Sequence, residues 1–571
     1  MSSTAVRPTD APAPTAPVRA GVVLAIVLSA TFMQLVDISI VNTAIPSIQR
    51  ELHASYAAIQ LILVCYQLAF ACTLITAARL GDIYGRRRLF LLGTVGFTVA
   101  SALCGAAPNP TALVLARLLQ GFMSGLMFPQ VLAVIQVTFP PRERGRAFGI
   151  LGAVIGLATI LGPLLGGILI QLNLAGLDWR TIFYVNVPIG LAAVVTAFRF
   201  LPESRAPKAD RLDLPGVLLV TAGLFLLVYP LAEGRDRGWP AWLLVMLVAS
   251  VPLLAAFAAY EQRKTRRDDS PLVWMDLFRD RAFAVGLLLS MVFFAGLPPF
   301  FFTFTLYLQI GLGYTALGAG LTGFSFAVGS GLASSRSDKV ARRLGNNVLK
   351  LGTVVLAVGM TLVLLTVHLV GVHPHGYQFV PALLVSGIGL GFFVAPVTNI
   401  ILAGIHSRSA GSASGVLSTA QQIGGAIGVA VVGVIFFTLI GVNSSGASDR
   451  VTPNLRQELT ALQLPAPAVD RIVTGFSRCF SDRAHAKDPS STPASCRLAA
   501  PAGTPPATAE RIGALVQKEA APGALAHTFS TSFQQVLLYE IGVFLLAFGV
   551  CFALPAVNPA VLGHPGGGSP G

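Results

Sequence analysis

Long apolar runs alternate with short polar stretches along most of this 571-residue chain. Each run has about 20 residues, which is the length of helix that crosses a ~30 Å hydrocarbon core. Because a bilayer offers no water to backbone polar groups, such runs predict transmembrane α-helices. The pattern predicts fourteen spans, at residues 21–45, 56–78, 89–107, 112–138, 146–170, 182–201, 213–232, 240–260, 282–308, 314–334, 347–370, 376–404, 411–440 and 531–556.

The composition supports this pattern and narrows the class of protein. Hydrophobic residues make up 54% of the chain and charged residues 11%, against roughly 25% charged in soluble domains. We therefore expect an all-α polytopic membrane protein, with residues 1–20 as a disordered cytoplasmic tail and residues 557–571 as a second tail. The net charge of +14 lies in short loops rather than on one domain, so nucleic-acid binding is not expected.

The distribution of lysine and arginine predicts the orientation of the chain. With the N-terminus inside, the short cytoplasmic loops contain 22 of these residues and the short outer loops contain four. The positive-inside rule then places both termini in the cytoplasm of a multi-pass protein of the cell membrane. Residues 441–530, between the last two spans, are predicted to form a long extracellular loop, and their Pro, Ala, Ser and Thr content predicts weak order.

Two of the six cysteines, Cys479 and Cys496, lie outside the predicted spans, in the long outer loop. An oxidising exterior favours a disulfide between them. The alternative is two unpaired thiols in a flexible loop. The other four cysteines lie within spans, where cysteine serves as a small apolar packing residue.

A charged loop occurs twice in the chain. "ARLGDIYGRRR", residues 78–88, follows the second span, and "SSRSDKVARRLG", residues 334–345, follows the tenth. Both place an acid just after a helix end and arginines four to five residues later. If spans seven and eight are an inserted hairpin, with its linker at 202–281, the rest divides into six-helix bundles at 21–201 and 282–556. Internal repeats with a midplane cavity between them are the architecture of secondary transporters.

Four stretches together resemble the signatures of one transporter family: the 78–88 loop, "LVDISIVNTAIPSI" at 35–48, "LARLLQGFMSG" at 115–125 and "GLATILGPLLGG" at 156–167. On these residues the chain resembles the major facilitator superfamily, in its fourteen-span drug/proton antiporter branch, the EmrB/QacA type of multidrug efflux transporter. The resemblance implies the major facilitator fold, with two six-helix bundles plus two inserted helices. It also implies proton-coupled efflux of amphipathic, drug-like or antibiotic molecules by alternating access.

The first charged loop contains residues suited to a tight, charged turn between two helices. Gly85 permits a sharp turn, and Asp82 can cap or lie beside a helix N-terminus. Arg86 and Arg87 are attracted to anionic lipid headgroups. The resemblance implies a cytoplasmic conformational latch, in which we include Asp338 of the second charged loop. The alternative is a topology anchor made of positive charge.

Ionisable groups inside spans are costly and therefore indicate function. Asp37 lies roughly 12 Å before the outer end of span one, and Arg117 roughly 8 Å past the outer start of span four, at about 1.5 Å per residue. The two depths agree, so the side chains can meet. A carboxylate beside an arginine is deprotonated, and separating the two favours its protonation, so the pair can exchange a proton for a cationic substrate. The alternative is a static structural ion pair.

Glu540 is the third candidate for proton coupling. It lies in the last span, "LLYEIGVFLLAFG", at a depth similar to that of Asp37. The alternative is that it supports a helix contact or extends its carboxyl towards the membrane surface.

The stretch 156–167 is suited to close helix packing. Glycines let helices approach each other closely, and a proline removes a backbone donor and kinks its helix. The resemblance implies an antiporter motif that seals the two halves against proton leak. Its residues are Gly156, Gly162, Pro163, Gly166 and Gly167. The alternative is ordinary small-residue packing without a gate.

A cavity for amphipathic drugs should be apolar with sparse polar groups. By their rough placement in the spans, its candidates are Gln34, Asn42, Gln67, Gln120, Gln130, Phe300, Phe304, Tyr307, Asn399 and Gln421. The expected partners are a small-molecule substrate, protons and membrane lipids, and the chain is expected to be a monomer. We expect no cofactor and no metal. No P-loop sequence is present, so an ion gradient or a partner must supply the energy.

Other functions stay open on the sequence alone. Within transport, they are export of a lipid, siderophore or metabolite, or import of a small molecule. A membrane-embedded enzyme would need clustered His, Asp or Cys residues at one depth, and the sequence contains no such cluster. A receptor would need a soluble sensor or effector domain of useful size.

Overall fold

The fold is that of a computed structural model, which describes residues 17–54, 56–205, 213–234, 237–268, 271–372, 374–403, 405, 409–485, 493–496 and 505–555. Within these residues the chain is helical and contains no strand. The prediction of an all-α protein is therefore confirmed. The two predicted tails lie outside the described residues, except that residues 17–20 already belong to the first helix.

Seventeen α-helices occur in the described part of the chain. They are α1 (Pro17–Leu52), α2 (Tyr56–Tyr84), α3 (Arg86–Gly105), α4 (Pro110–Thr138), α5 (Pro141–Leu172), α6 (Thr181–Tyr184), α7 (Asn186–Phe200), α8 (Leu214–Glu233), α9 (Ala241–Asp268), α10 (Arg281–Leu306), α11 (Ala316–Leu344), α12 (Asn347–Val370), α13 (Gly376–Ala403), α14 (Ala410–Ala461), α15 (Ala466–His485), α16 (Pro506–Ala514) and α17 (Ala521–Val550). A 3₁₀ turn precedes α10, and π-helical turns follow α10 and precede α17.

Every predicted span overlaps one of these helices, but the count of fourteen is not confirmed. By length and composition alone, twelve helices of the described chain could cross a membrane, or thirteen if the two parts of the bent α5 form one span. The helix at the tenth predicted span, α11, is not among them. Its second half contains the polar stretch "SSRSDKVARR", which lowers its hydropathy. The chain is thus a multi-pass membrane protein whose exact number of spans stays a prediction.

Polar residues just before the apolar runs start several helices. The Asn109 side chain accepts a hydrogen bond from Ala112 N at the start of α4 (2.9 Å). The Asp280 side chain accepts from Ala282 N at the start of α10, and the Thr315 hydroxyl oxygen accepts from Gly318 N at the start of α11. These caps satisfy backbone N–H groups that a helix leaves without an internal partner. The helix starts therefore follow from the local sequence.

The helices pack as two groups, which meet mainly at α5 of the first and α14 of the second. In the first half, α4 packs against α2 and α3, while α1 packs against α5 and α7. In the second half, α13 packs against α11 and α12, and α17 packs against α10, α12 and α14. The groups meet where α5 packs against α11 and α13, and where α14 packs against α2 and α4. The hairpin α8–α9 lies to one side, with α8 against α2 and α14.

Glycines allow the two halves to approach closely. A Cβ on Gly149 of α5 would lie 2.5 Å from the carbonyl oxygen of Ser334 in α11. A Cβ on Gly415 of α14 would lie 2.7 Å from the Cβ of Ala78 in α2. The backbones are therefore in contact at both crossings, as small residues at membrane helix interfaces permit.

The expectation of weak order between residues 441 and 530 is wrong for most of that segment. Helix α14 continues unbroken to Ala461, a total of 52 residues, or about 78 Å of helix at ~1.5 Å per residue. Helices α15 and α16 and the start of α17 fold beside its end. Their shared core contains Leu455, Leu459, Val469, Ile472, Val473, Phe476, Ile512 and Leu515. Average composition concealed this order, because the apolar residues of α15 recur at helical spacing on one face.

Cys479 and Cys496 are joined by a disulfide in this helical extension. The bond connects α15 to the short turn Ala494–Cys496. Of the remaining cysteines, Cys104 and Cys551 are buried, and Cys65 and Cys72 are half-buried.

Candidate functional site

Asp37 and Arg117 form an ion pair inside the first half of the molecule. Arg117 Nη1 lies 2.6 Å from Asp37 Oδ2, and both side chains are almost completely buried, at 2% and 0% exposed. Asp37 lies in α1 and Arg117 in α4, so the pair joins two helices that are far apart in sequence. A charge in such surroundings is expensive unless it is paired and hydrogen-bonded.

Two amides complete the surroundings of the Asp37 carboxyl. Gln120 Nε2 and Asn186 Nδ2 both donate to Asp37 Oδ1, each at 2.9 Å. Arg117 Nη1 also donates to Gln120 Oε1 at 2.8 Å. Asn186 additionally donates to Ser101 Oγ at 3.0 Å. The carboxyl therefore has donors from α4 and α7, and each of these polar groups is buried.

Aromatic side chains enclose the arginine. The Arg117 guanidinium lies 4.2 Å from the ring centroid of Tyr66 and 5.8 Å from that of Phe183. Its Nε donates to the backbone carbonyl of Ile62 at 3.4 Å. Cation–π contacts of this kind are stronger in dry surroundings. The site therefore holds one acid and one base away from water, where their separation would change the protonation of the acid.

The glycine-proline stretch of α5 lies between the acid-bearing helix and the second half. A Cβ on Gly162 would lie 2.8 Å from Ser39 Cβ, and one on Gly166 2.9 Å from Ile40 Cγ1, both in α1. On the other side, a Cβ on Gly156 would lie 3.2 Å from Ser330 Oγ in α11.

A bend in α5 occurs inside this stretch. The helix changes direction by 42° between Ala158 and Leu161. Pro163 explains this bend, because its ring clashes with the carbonyl four residues earlier. Gly167 is half-buried.

The acid of the first charged loop docks on the second half. Asp82 Oδ1 accepts a hydrogen bond from Arg86 Nη2 at 2.8 Å, and both side chains are buried. A Cβ on Gly411 would lie 2.5 Å from Asp82 Oδ1 and closer still to the other carboxyl oxygen. Gly411 is in the first turn of α14, where the helix dipole and free N–H groups favour an anion.

The turn of this loop is fixed by contacts to the end of α7. Gly85 has φ +110°, which side chains other than glycine rarely adopt. Arg87 Nη2 donates to the Phe198 carbonyl oxygen. Glu203 Oε1 accepts from the backbone N–H of Arg87 at 3.2 Å, which caps the start of α3 in place of the missing side chain of Gly85.

In the second charged stretch, an acid of the second half contacts a helix of the first half. The prediction that Asp338 follows a helix end is wrong, because α11 continues to Leu344 and contains Asp338 in its last two turns. Its side chain pairs with that of Arg342, one turn further along the same helix, at 2.5 Å. A Cβ on Gly145 would lie 2.5 Å from Asp338 Oδ1, and Gly145 is in the first turns of α5. Each half thus presents an acid to the beginning of a helix in the other half. Only the first of the two acids is fully buried.

Among the described residues, the candidate cavity residues lie in several different surroundings. Gln34 is buried, Gln67 is exposed, and Asn399 and Gln421 are half-buried. Gln120 belongs to the Asp37 network, and Gln130 donates to the Ala77 carbonyl oxygen at 2.8 Å. The three aromatic candidates form a cluster with Phe533; they are Phe300, Phe304 and Tyr307. The Asn42 side chain lies outside the described part of the structure.

A small cavity lies between α5, α10 and α11. Its volume is about 50 Å³, and its lining includes Pro163 and Phe304. Pockets for drug-sized ligands measure about 300–1,000 Å³. This cavity is therefore too small for such a ligand in the conformation seen here.

Glu540 is buried in the second half, between hydrophobic residues of α17. Neither of its carboxyl oxygens has a hydrogen-bond partner among the described residues. It does not share the Asp37 network, whose members all belong to the first half.

Sequence reasoning missed two amides of importance. Asn186 is the one amide in the apolar run of the sixth span, and that isolation was the available signal. Gln136 Nε2 donates to the Leu402 carbonyl oxygen at 2.9 Å and so joins α4 to α13 across the two halves. Nothing in the sequence marked that contact, because it depends on how the halves meet.

Comparisons with known proteins agree on one family. A sequence profile of the Major Facilitator Superfamily matches residues 27–429. A probable actinorhodin transporter of Streptomyces coelicolor is 39% identical over 93% of this chain and 91% of its own length. A puromycin resistance protein of Streptomyces alboniger is 36% identical over 80% of this chain and 86% of its own length.

Similar relatives and solved structures extend this result. A tetracenomycin C resistance and export protein of Streptomyces glaucescens is 34% identical over 72% of this chain and 74% of its own length. The crystal structure of the human organic anion transporter MFSD10 has a TM-score of 0.52 at 17% identity, covering 74% of this chain and 94% of that one. At this identity, the structural likeness concerns the fold.

Proposed function

The chain belongs to the major facilitator superfamily, and from this premise we propose that it exports amphipathic, drug-like molecules from the cell in exchange for protons. It is a transporter rather than an enzyme. The observation that carries the proposal is the buried ion pair of Asp37 and Arg117, at 2.6 Å. A secondary transporter needs an ionisable group whose protonation changes with conformation, and this pair supplies one.

Proton exchange at Asp37 follows from its surroundings. As long as Arg117, Gln120 and Asn186 all donate to the carboxyl, its charged form is stabilised. When the helices shift and Arg117 withdraws, the buried carboxylate loses its countercharge and binds a proton. A cationic cargo near the carboxylate has the reverse effect, because it replaces the arginine as a partner. Proton and cargo therefore compete for one group, and this competition is antiport.

The functions of the relatives support the proposed class of cargo. They are described as a probable transporter of actinorhodin, a resistance protein for puromycin, and an export protein for tetracenomycin C. These are antibiotics, and for the tetracenomycin C protein the direction named is export. We assign this chain to efflux of molecules of the same general kind. The proposal does not choose one of them.

Alternating access would use the two charged loops as latches. Asp82 packs against the first turn of α14, and Asp338 packs against the first turns of α5. We assign both contacts to closure of the same end of the bundle. The conformation with both contacts made is closed at that end. Opening requires each acid to leave the helix start that stabilises it, so the latches add a barrier that binding must overcome. While the latches open and close, the close packing of α5 against α1 and α11 would prevent protons from leaking between the two halves.

The orientation is part of the proposal. The short loops at the end of the bundle that carries Asp82 and Asp338 contain 22 basic residues. This positive charge indicates the cytoplasmic side, and both termini would lie on that side. The disulfide of Cys479 and Cys496 supports an exterior position for the helical extension, because disulfides persist in oxidising compartments. We propose a monomer made of two six-helix bundles, at 21–201 and 282–556, with the hairpin inserted between them.

Glu540 is proposed as a second proton-binding group. A charged carboxylate there would have no countercharge and no hydrogen-bond donor among the described residues. The group is therefore held as the neutral acid in this conformation. It lies in α17, beside the helices α10, α12 and α14 of the second half. Movement of these helices would let it release the proton.

Efflux measured in a pump-deficient bacterial host tests the proposed function. Cells expressing the wild type, Asp37→Asn or Asp276→Asn would be loaded with a panel that includes puromycin and ethidium. Asp276 is a matched control, because it is an acid that is 62% exposed in a surface turn. We expect efflux by the wild type and by the control, and little by Asp37→Asn at equal membrane expression. Equal efflux by all three proteins would contradict the role of Asp37, and no efflux of any compound would contradict drug export.

A further inference from the structure

The hairpin α8–α9 has two buried acids where its helices meet. Asp213 caps α8, since its Oδ1 accepts from Gly216 N at 3.1 Å and from Tyr260 Oη at 3.0 Å. Glu261 of α9 is completely buried. A Cβ on Gly216 would lie 2.7 Å from Asp213 Oδ2 and closer still to Glu261 Oε1, so the two carboxyl groups face each other across this glycine.

Glu261 also holds the linker that leads to the second half. Its Oε2 accepts from the backbone N–H of Val273 at 3.0 Å. Leu272 and Val273 are 0% and 1% exposed, although they belong to a connection without regular structure. Connecting segments normally lie on the surface and are exposed. This segment, residues 271–274, is therefore fixed in place by the hairpin.

The same segment contacts the helix end on which the first latch closes. Trp274 N donates to Ser412 Oγ at 3.4 Å. Ser412 follows Gly411, which is the residue against which Asp82 packs. The hairpin reaches the other side of the latch as well, because α8 packs against α2, the helix that carries Asp82. One such contact joins Cys72 Sγ to the Thr221 carbonyl oxygen at 3.8 Å.

From this chain of contacts we propose that Glu261 is a positioning residue for the latch. It holds residues 271–274 against the first turn of α14, so that Gly411 stays where the Asp82 carboxyl can reach it. The hairpin then has a task of its own in the transport cycle: it braces the closed cytoplasmic end. The inference rests on the latch role assigned to Asp82 in the proposed function, but it does not depend on the cargo or on protons.

A cysteine reporter measures closure without any drug. Ser334 is buried on α11 where α11 meets α5, so Ser334→Cys is protected while the two halves are closed at this end. The four unpaired cysteines, Cys65, Cys72, Cys104 and Cys551, would be replaced by alanine. The rate of labelling by a membrane-permeable maleimide then reports opening.

Four variants of the Ser334→Cys reporter protein test the proposal. Glu261→Ala removes the acceptor for Val273 N, and Ser412→Ala removes the acceptor for Trp274 N. We expect Glu261→Ala to raise the labelling rate about tenfold, because the buried N–H group of Val273 loses its acceptor. Ser412→Ala should raise it less. Glu261→Gln keeps an oxygen acceptor and should label at the parent rate.

The control is an acid at the opposite end of the same hairpin. Glu233 of α8 is 1% exposed and pairs with Arg237 at 2.8 Å. Glu233→Ala likewise removes a buried acid from the hairpin but leaves residues 271–274 in place, so its labelling should stay at the parent rate. Parent-rate labelling of Glu261→Ala would overturn the proposal, as would equal increases in Glu261→Ala and Glu233→Ala. Failure of drug efflux in the earlier experiment would leave these outcomes readable, because no cargo is used.

Discussion

Replacing Gly411 with alanine puts a methyl group into the space that the Asp82 carboxyl occupies. The new Cβ would lie 2.5 Å from Asp82 Oδ1 and closer to the other oxygen, so the acid must move away from the start of α14. Overpacking of a tight contact costs about 1–3 kcal/mol. In the proposed function the latch is made only in the closed conformation, so this cost would act on the balance between closed and open states. A change of about 2 kcal/mol would raise the open fraction roughly thirtyfold.

The matched control for this change lies on the same helix. A Cβ on Gly446 would meet nothing within 4 Å. Gly446→Ala therefore adds the same methyl group to α14 without the collision, and it includes the gain in helix propensity of an interior glycine, about 0.5–1 kcal/mol. Maleimide labelling of the Ser334→Cys reporter would be compared in the two variants. We expect fast labelling with Gly411→Ala and parent-rate labelling with Gly446→Ala; identical rates in the two variants would refute the reasoning about the latch.

Three other changes give separate expected outcomes. Asn186→Ala removes one of the donors to Asp37, so a buried acceptor loses a partner. We expect drug-driven proton flux to fall about tenfold at unchanged membrane expression, and normal flux would exclude Asn186 from the site. Glu540→Gln replaces a neutral acid by a neutral amide, so thermal stability in detergent should be kept while the number of protons moved per drug falls; an unchanged ratio would exclude coupling through this residue. Replacing Cys479 and Cys496 by serine should destabilise the helical extension by about 3 kcal/mol, given the length of the loop that the disulfide closes. Proteolysis of the extension should become faster while efflux is kept, and proteolysis at the original rate would contradict this expectation.

The membrane explains why so much of the fold could be predicted. A bilayer accepts only segments that satisfy their own backbone hydrogen bonds, so apolar runs had to be helices. The same uniform rise per residue allowed the depths of Asp37 and Arg117 to be compared, and the structure places their side chains in contact. The repeat of the charged loops likewise led to Asp82 and Asp338, each of which contacts the first turns of a helix in the other half.

What could not be predicted depends on contacts between distant segments or on patterns that composition hides. Asn186 was missed because an amide in an apolar span has no partner visible in the sequence. The bracing contact of Glu261 needed the path of residues 271–274, which no local pattern specifies. The extension of α14 to Ala461 was missed because its small and polar residues resemble a loop in composition, whereas its helix is stabilised by packing on α15 and α16. The number of spans stays open because α11 combines an apolar start with a polar end.

Proton movement driven by drug in reconstituted vesicles tests the central claim most directly. Purified protein would be placed in proteoliposomes with a pH-sensitive dye inside, and the drug with the largest efflux in the cell panel would be added without an imposed pH gradient. We predict that drug uptake moves protons in the opposite direction with the wild type and that Asp37→Asn abolishes this movement. Drug transport by the wild type that moves no protons, and that ignores an imposed pH gradient, would contradict the account.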